Sequence, residues 1–300
     1  MSDILMQMLS LGFLGVVLLK TTPLLFAAIG GAFTQQADIL NIGLEGMMLI
    51  AAFTAIWAGS SAKNWVVGVL AAVLSSILIS LLYAVMTLLL KADFIVVGIG
   101  INLLAAGASV LIMLIVFGSP GATPPTATME LPKWLGQTPL VYLGLLSVAV
   151  FWFVLYKTPF GVHLRAVGQD LPAATAAGIN GTRVKFISIL VCGVLCGLGG
   201  AQLSMATLGS FTAGMTSGRG FIAVAALTAG RARPVPTLIW ALVFGLTEAF
   251  ADLLNVRGVN SNLANMTPYV ITIVALTVAA MELGKKRRVR TAAARAAATA

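Results

Sequence analysis

Residues 157–185 read KTPFGVHLRAVGQDLPAATAAGINGTRVK, a long polar segment in a chain that is otherwise a succession of apolar runs. Asp170 is placed to cap the first turn of a short helix held outside the bilayer. Pro172 falls in that turn, where its missing N–H costs nothing, and Gly178 is placed to end it. Between them lie Ala173, Ala174, Thr175, Ala176 and Ala177. A helix surfaced almost wholly with alanine keeps no partner backbone at a distance, which suits a knob docking into a groove of another protein. The plainer alternative is an amphipathic connector lying on the membrane surface.

Hydrophobic residues make up 59% of the 300-residue chain and charged residues 9%, against about a quarter charged in soluble domains. This composition predicts an all-α polytopic membrane protein. The 18 Lys and Arg against 9 Asp and Glu invite a nucleic-acid reading, but their placement argues otherwise. Lys91, the four basic residues of 157–185, Arg231, Arg233 and the run from Lys285 to Arg295 fall in segments assigned to one side; Lys20, Lys63, Lys133, Arg219 and Arg257 do not. Such asymmetry marks the first side as cytoplasmic. Cys192 and Cys196, with His163 the only histidine, make no metal site and read as packing residues. The N-terminus has neither a basic n-region nor a small-residue cleavage site, so its apolar segment is expected to remain as a helix.

Measured against the roughly 20 residues that cross a bilayer, the chain divides into about ten apolar segments. They are Ile4–Leu19, Pro23–Phe33, Ile42–Ala58, Trp65–Leu90, Phe94–Phe117, Leu140–Tyr156, Phe186–Leu208, a half-helix Phe221–Ala229, Pro234–Asn255 and Met266–Leu283. Ten passages put both termini in the cytoplasm. Residues 1–283 form the transmembrane domain and 284–300 a basic cytoplasmic tail. The helix ending at Phe33 is expected to break in the polar run that follows, and Gly209–Gly220 is expected to be irregular. Gly30-Gly31-Ala32-Phe33 before Glu45-Gly46 echoes Gly199-Gly200-Ala201-Gln202 before Arg219-Gly220. Paired broken helices of this kind are a mark of transporter repeats.

Polar residues within the apolar runs are the candidate pathway groups. A carboxylate at Glu45 costs about 2.5–3.5 kcal/mol in hydrocarbon and needs compensation, for which Gln35, Gln36 and Asn41 are near in sequence. It reads either as a polar gate or as a helix cap. Asn102, in a glycine-rich run, suits an interhelical hydrogen bond or a substrate contact. Glu248 and Asp252 lie one turn apart and suit a cavity lining or an interhelical salt bridge; with no partner for acid–base chemistry, catalysis is disfavoured. Phe33, Met205, Phe211 and Met215, at the two expected helix breaks, suit either a flat ring system or core packing. No phosphate-cradling Gly-x-x-x-x-Gly-Lys-Ser/Thr occurs, so ATP would be hydrolysed on another chain.

TTPLLFAAIGG (21–31), ILNIGLEGMMLIAAF (39–53), GINLLA (100–105), LRAVGQD (164–170), AGIN (177–180) and GRGFIA (218–223) resemble the permease subunits of bacterial ABC importers in the branched-chain amino acid and ribose permease superfamily. The wording of 41–48 is most similar to permeases of nucleoside importers that work with a lipoprotein of the basic membrane protein type. At 93–98 the chain has DFIVVG where the family pattern is Asn-Gln-Val-Val-Ser-Gly, so no substrate role is carried over there. The resemblance implies an inner-membrane permease subunit importing a nucleoside or related ribose-containing solute, with a simple sugar as the alternative and an ATP-independent facilitator or channel as the rival from another class. It implies no cofactor on this chain, ATP–Mg on partner ATPase subunits, a second and nonidentical permease, and an extracytoplasmic binding lipoprotein. Pathway candidates are Phe33, Asn41, Glu45, Asn102, Met205, Phe211 and Glu248. The segment with Asp170, Pro172, Ala173, Ala174, Ala177 and Gly178 corresponds to the coupling helix that meets the ATPase.

Overall fold

A computed structural model describes residues 11–256 except 126 and 208, together with scattered positions between 266 and 277. The described chain is helical, its only bridges being the isolated pairs Ala122–Thr212 and Trp134–Gln137. The helices are α1 (Leu11–Gln36), α2 (Leu44–Ala62), α3 (Trp65–Ala84, continued by a π turn over Val85–Leu89), α4 (Phe94–Phe117), α5 (Pro139–Lys157), α6 (Pro159–Gln169), α7 (Leu171–Ala176), α8 (Gly181–Thr207), α9 (Arg219–Ala229) and α10 (Pro234–Val256). Seven are long and apolar enough to cross a membrane, and α9 is a short apolar helix.

Among the described residues, seven spans and a half-helix match the expected segments, except that the first two are joined. The described parts of Ile4–Leu19 and Pro23–Phe33 are one helix, α1, with Pro23 inside it. Proline is tolerated there because a neighbouring helix covers it: Gly199 of α8 lies against the Pro23 carbonyl. The stretch therefore crosses once, and the count of ten no longer places the first crossing. Most of Met266–Leu283 and all of the 284–300 tail lie outside the described residues.

More than half of the spanning windows of α1, α2 and α8 is buried, against about a fifth for α3 and α4. The first three form the centre and the latter two its lipid-facing flank. α1 and α8 are antiparallel and cross at glycines. Gly30 is set against Cys192, seven residues before Gly199, and Gly199 against Pro23, seven residues before Gly30. Reciprocal contacts of this kind are what a twofold axis in the membrane plane produces, in keeping with the echo between the two halves.

Seven of the described basic residues, Lys91, Lys157, Arg165, Arg183, Lys185, Arg231 and Arg233, border one face of the bundle. Gln36 of α1 meets the carbonyl of Ala232 there at 2.8 Å, Gly168 of α6 sits on the Gln36 carbonyl, and Gly181 at the start of α8 packs on Leu171. Lys63 and Lys133 border the opposite face, where Met129 packs on Gly59. At that face the 118–138 loop pairs with the irregular segment between α8 and α9 through Thr123 N–H to Phe211 O at 2.9 Å and Met129 N–H to Gly209 O at 2.8 Å.

Candidate functional site

α9 has 11 residues, about 16 Å at 1.5 Å per residue. Its N-terminus therefore lies about half of a 30 Å hydrocarbon core in from the basic face. Four N–H groups at a helix start have no partner within the helix, and at this depth lipid offers them none. Glu45 supplies the acceptors. From the first turn of α2 its carboxylate accepts Gly218 N–H at 2.8 Å through Oε1 and Gly220 N–H at 2.6 Å through Oε2. An anion at a helix N-terminus also sits well in the helix dipole. Glycine is required at 220 because a Cβ there would run into the backbone of Glu45.

Arg219, between the two clamped amides, turns the other way. Its Nε donates to Glu248 Oε2 at 3.2 Å, and its Nη1 donates to the Met215 carbonyl at 3.0 Å and the Thr216 carbonyl at 3.4 Å. The irregular segment and the start of α9 are thus gathered onto one carboxylate from α2 and one from α10. On the far side of α2, Asn102 Oδ1 accepts Gly46 N–H at 2.8 Å and its Nδ2 donates to the Ile42 carbonyl at 3.0 Å. α2, α4, α9 and α10 are tied together at the helix discontinuity. Glu45 and Arg219 are half-buried, and Ser217 and Phe221 beside them are exposed.

Several expectations change. The amides near Glu45 in sequence do not serve it: Gln36 binds Ala232, and Asn41 Nδ2 points at Cys192 Sγ at 3.5 Å while its Oδ1 accepts Gly43 N–H at 2.9 Å. Backbone groups 173 and 175 positions away replace them, a pairing that local sequence does not encode. Glu45 caps a helix, but not its own. The interhelical salt bridge expected of Glu248 and Asp252 is present at each: Glu248 holds Arg219 of α9, and Asp252 holds Lys20 of α1 at 2.6 Å. The four ring-flanking candidates separate. Phe33 packs on Phe151 with centroids 4.3 Å apart, whereas Phe211 meets Phe53 edge-on at 5.3 Å in a second cluster with Met205 and Met215. The reason is that α1 breaks at the basic face and α8 at the opposite one, so side chains at the two breaks do not converge. Arg219 is the residue of this cluster absent from the sequence-derived candidates; its signal is a lone arginine between apolar runs with a buried acid, Glu248, one helix on.

At the basic face, 157–185 forms two helices where one was expected. Thr158 caps α6 through Gly161 N–H at 3.3 Å, and Leu164 and Val167 turn inward. Their spacing with Phe160 is a helical stripe readable in the sequence. Asp170 then caps α7, accepting Ala173 N–H at 2.9 Å, and Pro172 lies in its first turn. Gly178, at φ +82°, ends it, with Gly178 N–H on the Thr175 carbonyl at 2.9 Å. Asp170, Pro172, Ala173, Ala177 and Gly178 are exposed, but Ala174 is buried. An outward-facing knob would have put Ala174 in water. Instead it is the one α7 position that turns into the core shared with Leu164, Val167 and Val184, because a six-residue helix lying on the bundle must turn one position inward.

The space around Gly178 is open, with no atom within 4 Å of where a Cβ would stand, so the backbone alone demands glycine. Gly178→Val should strain the turn by about 1–3 kcal/mol and, if the turn meets the ATPase that the family resemblance implies, reduce its co-purification, whereas Gly178→Asn, which tolerates the left-handed region, should retain it. Equal co-purification for valine and wild type would remove the turn from the interface.

The profile described as Branched-chain amino acid transport system / permease component matches residues 13–276. The guanosine ABC transporter permease protein NupQ of Bacillus subtilis (strain 168) is 34% identical over 286 residues, covering 87% of this chain and 89% of that one. The nucleoside ABC transporter permease protein NupC of Lactococcus lactis subsp. cremoris (strain MG1363) is 33% identical over 294 residues, covering 90% and 91%. A putative glucose ABC transporter permease protein, TsgC13 of Haloferax volcanii, is 30% identical over 254 residues, covering 79% and 76%. No solved structure gives a significant match.

Proposed function

The chain belongs to the family of branched-chain amino acid transport permease components, and we propose that it is the membrane-spanning subunit of an importer for a nucleoside or a related ribose-containing solute. It is a multi-pass membrane protein and a transport subunit of an ABC system, which works with an ATPase and a substrate-binding protein. The observation that carries the nucleoside reading is the likeness to guanosine and nucleoside permeases over nearly the whole length of both chains. A simple sugar is the second reading, favoured by the likeness to the putative glucose permease.

Mechanistically, the clamped start of α9 is the part of the pathway that this chain supplies. Polar groups at a helix discontinuity near mid-membrane are tolerable where they line a cavity, and Glu45, Asn102 and Arg219 form such a group, backed by Glu248. Phe33, Asn41, Met205 and Phe211 support its walls from the core. α7 transmits ATP-driven closure of the ATPase pair, with ATP–Mg held entirely on those subunits. A second, nonidentical permease completes the pathway, and a lipoprotein delivers the solute from outside. Residues 1–283 constitute the permease domain and 284–300 a cytoplasmic tail, in the inner membrane of a bacterium.

The assembled complex in proteoliposomes, with its binding protein and internal ATP, should take up labelled guanosine, and excess adenosine or uridine should compete where glucose does not. Competition by glucose but not by nucleosides would decide for the sugar reading.

The basic face is assigned to the cytoplasm because it carries seven of the described cations against two on the other face. A cysteine at the exposed Gln169 should react with an impermeant maleimide only in inverted vesicles, and one at Leu135, which is 97% exposed, only in intact cells. The native Cys192 and Cys196 are buried and should stay silent. Labelling of residue 169 from outside would reverse the topology.

A further inference from the structure

At the basic face, where α3 ends and α8 begins, lies a groove of about 270 Å³ lined by Ala84, Val85, Leu88, Leu89, Phe186 and the polar trio Asn180, Thr182 and Arg183. The π turn over Val85–Leu89 makes the end of α3 wider than an α-helix, and π turns of this kind gather at functional sites. The groove's apolar wall is the end of a 25-residue apolar span, and Leu89 and Leu90 are each 68% exposed, so the wall stands in lipid.

The polar end has an uncompensated positive charge. Arg183 is exposed, and no carboxylate among the described residues pairs with it. Asp93, beyond the end of α3, caps α4 instead, its Oδ1 accepting Ile95 N–H at 2.9 Å and Val96 N–H at 3.1 Å. Asn180 Oδ1 accepts Arg183 N–H at 2.9 Å and, as a neutral amide oxygen, brings no charge to balance the guanidinium. An adjoining trough shares Asn180 and Thr182 and adds Lys185, and Lys91 follows Leu89 by two residues.

We propose that this groove binds an anionic glycerophospholipid, with an acyl chain on Val85, Leu88 and Phe186 and the phosphate on Arg183. The occupant must be apolar along its length, because the floor is hydrocarbon, and anionic at one end, because the rim is cationic; it must also reside at the bilayer interface. Basic pockets between membrane helices hold such headgroups. The inference stands apart from the identity of the transported solute.

The test uses the full-length permease complex, delipidated in detergent and titrated with phosphatidylglycerol or phosphatidylcholine under native mass spectrometry. Wild type should bind phosphatidylglycerol at least about fivefold more tightly than phosphatidylcholine, and Arg183→Gln should lose about that factor, the worth of one cation near an anionic headgroup. Arg183→Lys should keep most of it. Val85→Trp, which fills the groove without changing charge, should lower binding of phosphatidylglycerol in a complex that otherwise assembles. Equal binding of the two lipids by wild type would overturn the site. So would phosphatidylglycerol binding that both Arg183→Gln and Val85→Trp leave unchanged, or displacement of the lipid by inorganic phosphate at equal concentration.

Discussion

Glu45→Gln should lower solute uptake by at least about tenfold while the chain still inserts and still co-purifies with its ATPase. The carboxylate spends both oxygens on the start of α9, at 2.8 and 2.6 Å. Glutamine keeps the size but has one oxygen; its amide nitrogen would face the second N–H donor to donor. One hydrogen bond to a charged group is worth about 1.5–3 kcal/mol, and about 1.4 kcal/mol is a factor of ten. The loss falls on the half-helix and not on α7, because the clamp lies about half a membrane away from the basic face. Gly220→Ala attacks the same contact by shape, since its Cβ would enter the backbone of Glu45 and overpacking costs about 1–3 kcal/mol. The two variants should therefore share a phenotype of reduced uptake with near-normal ATPase association. Wild-type uptake by well-expressed Glu45→Gln would reduce the clamp to a structural cap with no part in transport.

Ala173→Trp and Ala177→Trp should abolish coupling, with uptake falling at least about tenfold and substrate-stimulated ATP hydrolysis falling with it. Both positions are exposed on or beside α7, so the bulky ring meets only water in the isolated chain and the ATPase groove in the complex. Their thermal stability in detergent should match wild type. Ala174→Trp should behave differently because Ala174 is buried against α6 and α8; there the ring overpacks the chain's own core, and yield and stability should drop before any partner is present. Normal coupling in both outward variants would make α7 a surface connector and take from the importer its mechanical link to ATP.

The membrane class, the polar loop, its Asp170 cap and its Gly178 stop are legible in the sequence because each rests on composition or on residues within one helical turn. The half-helix after Gly218 is legible too, since the apolar run Phe221–Ala229, bounded by polar residues, is too short to span. Whether Pro23 divides a helix is not, because what tolerates it is a neighbour, α8, that lies about 170 residues away in the chain. The same holds for the direction in which Ala174 faces.

Composition and local spacing suffice for a bundle of apolar helices with a charged face, an alanine-rich polar loop and a few costly polar residues at Glu45, Asn102 and Glu248. What those residues do to one another depends on how the helices pack. A carboxylate within the bundle takes whichever donors the fold leaves unpaired, and at Glu45 these are backbone amides of a distant helix start, which carry no side-chain signature for a sequence to display.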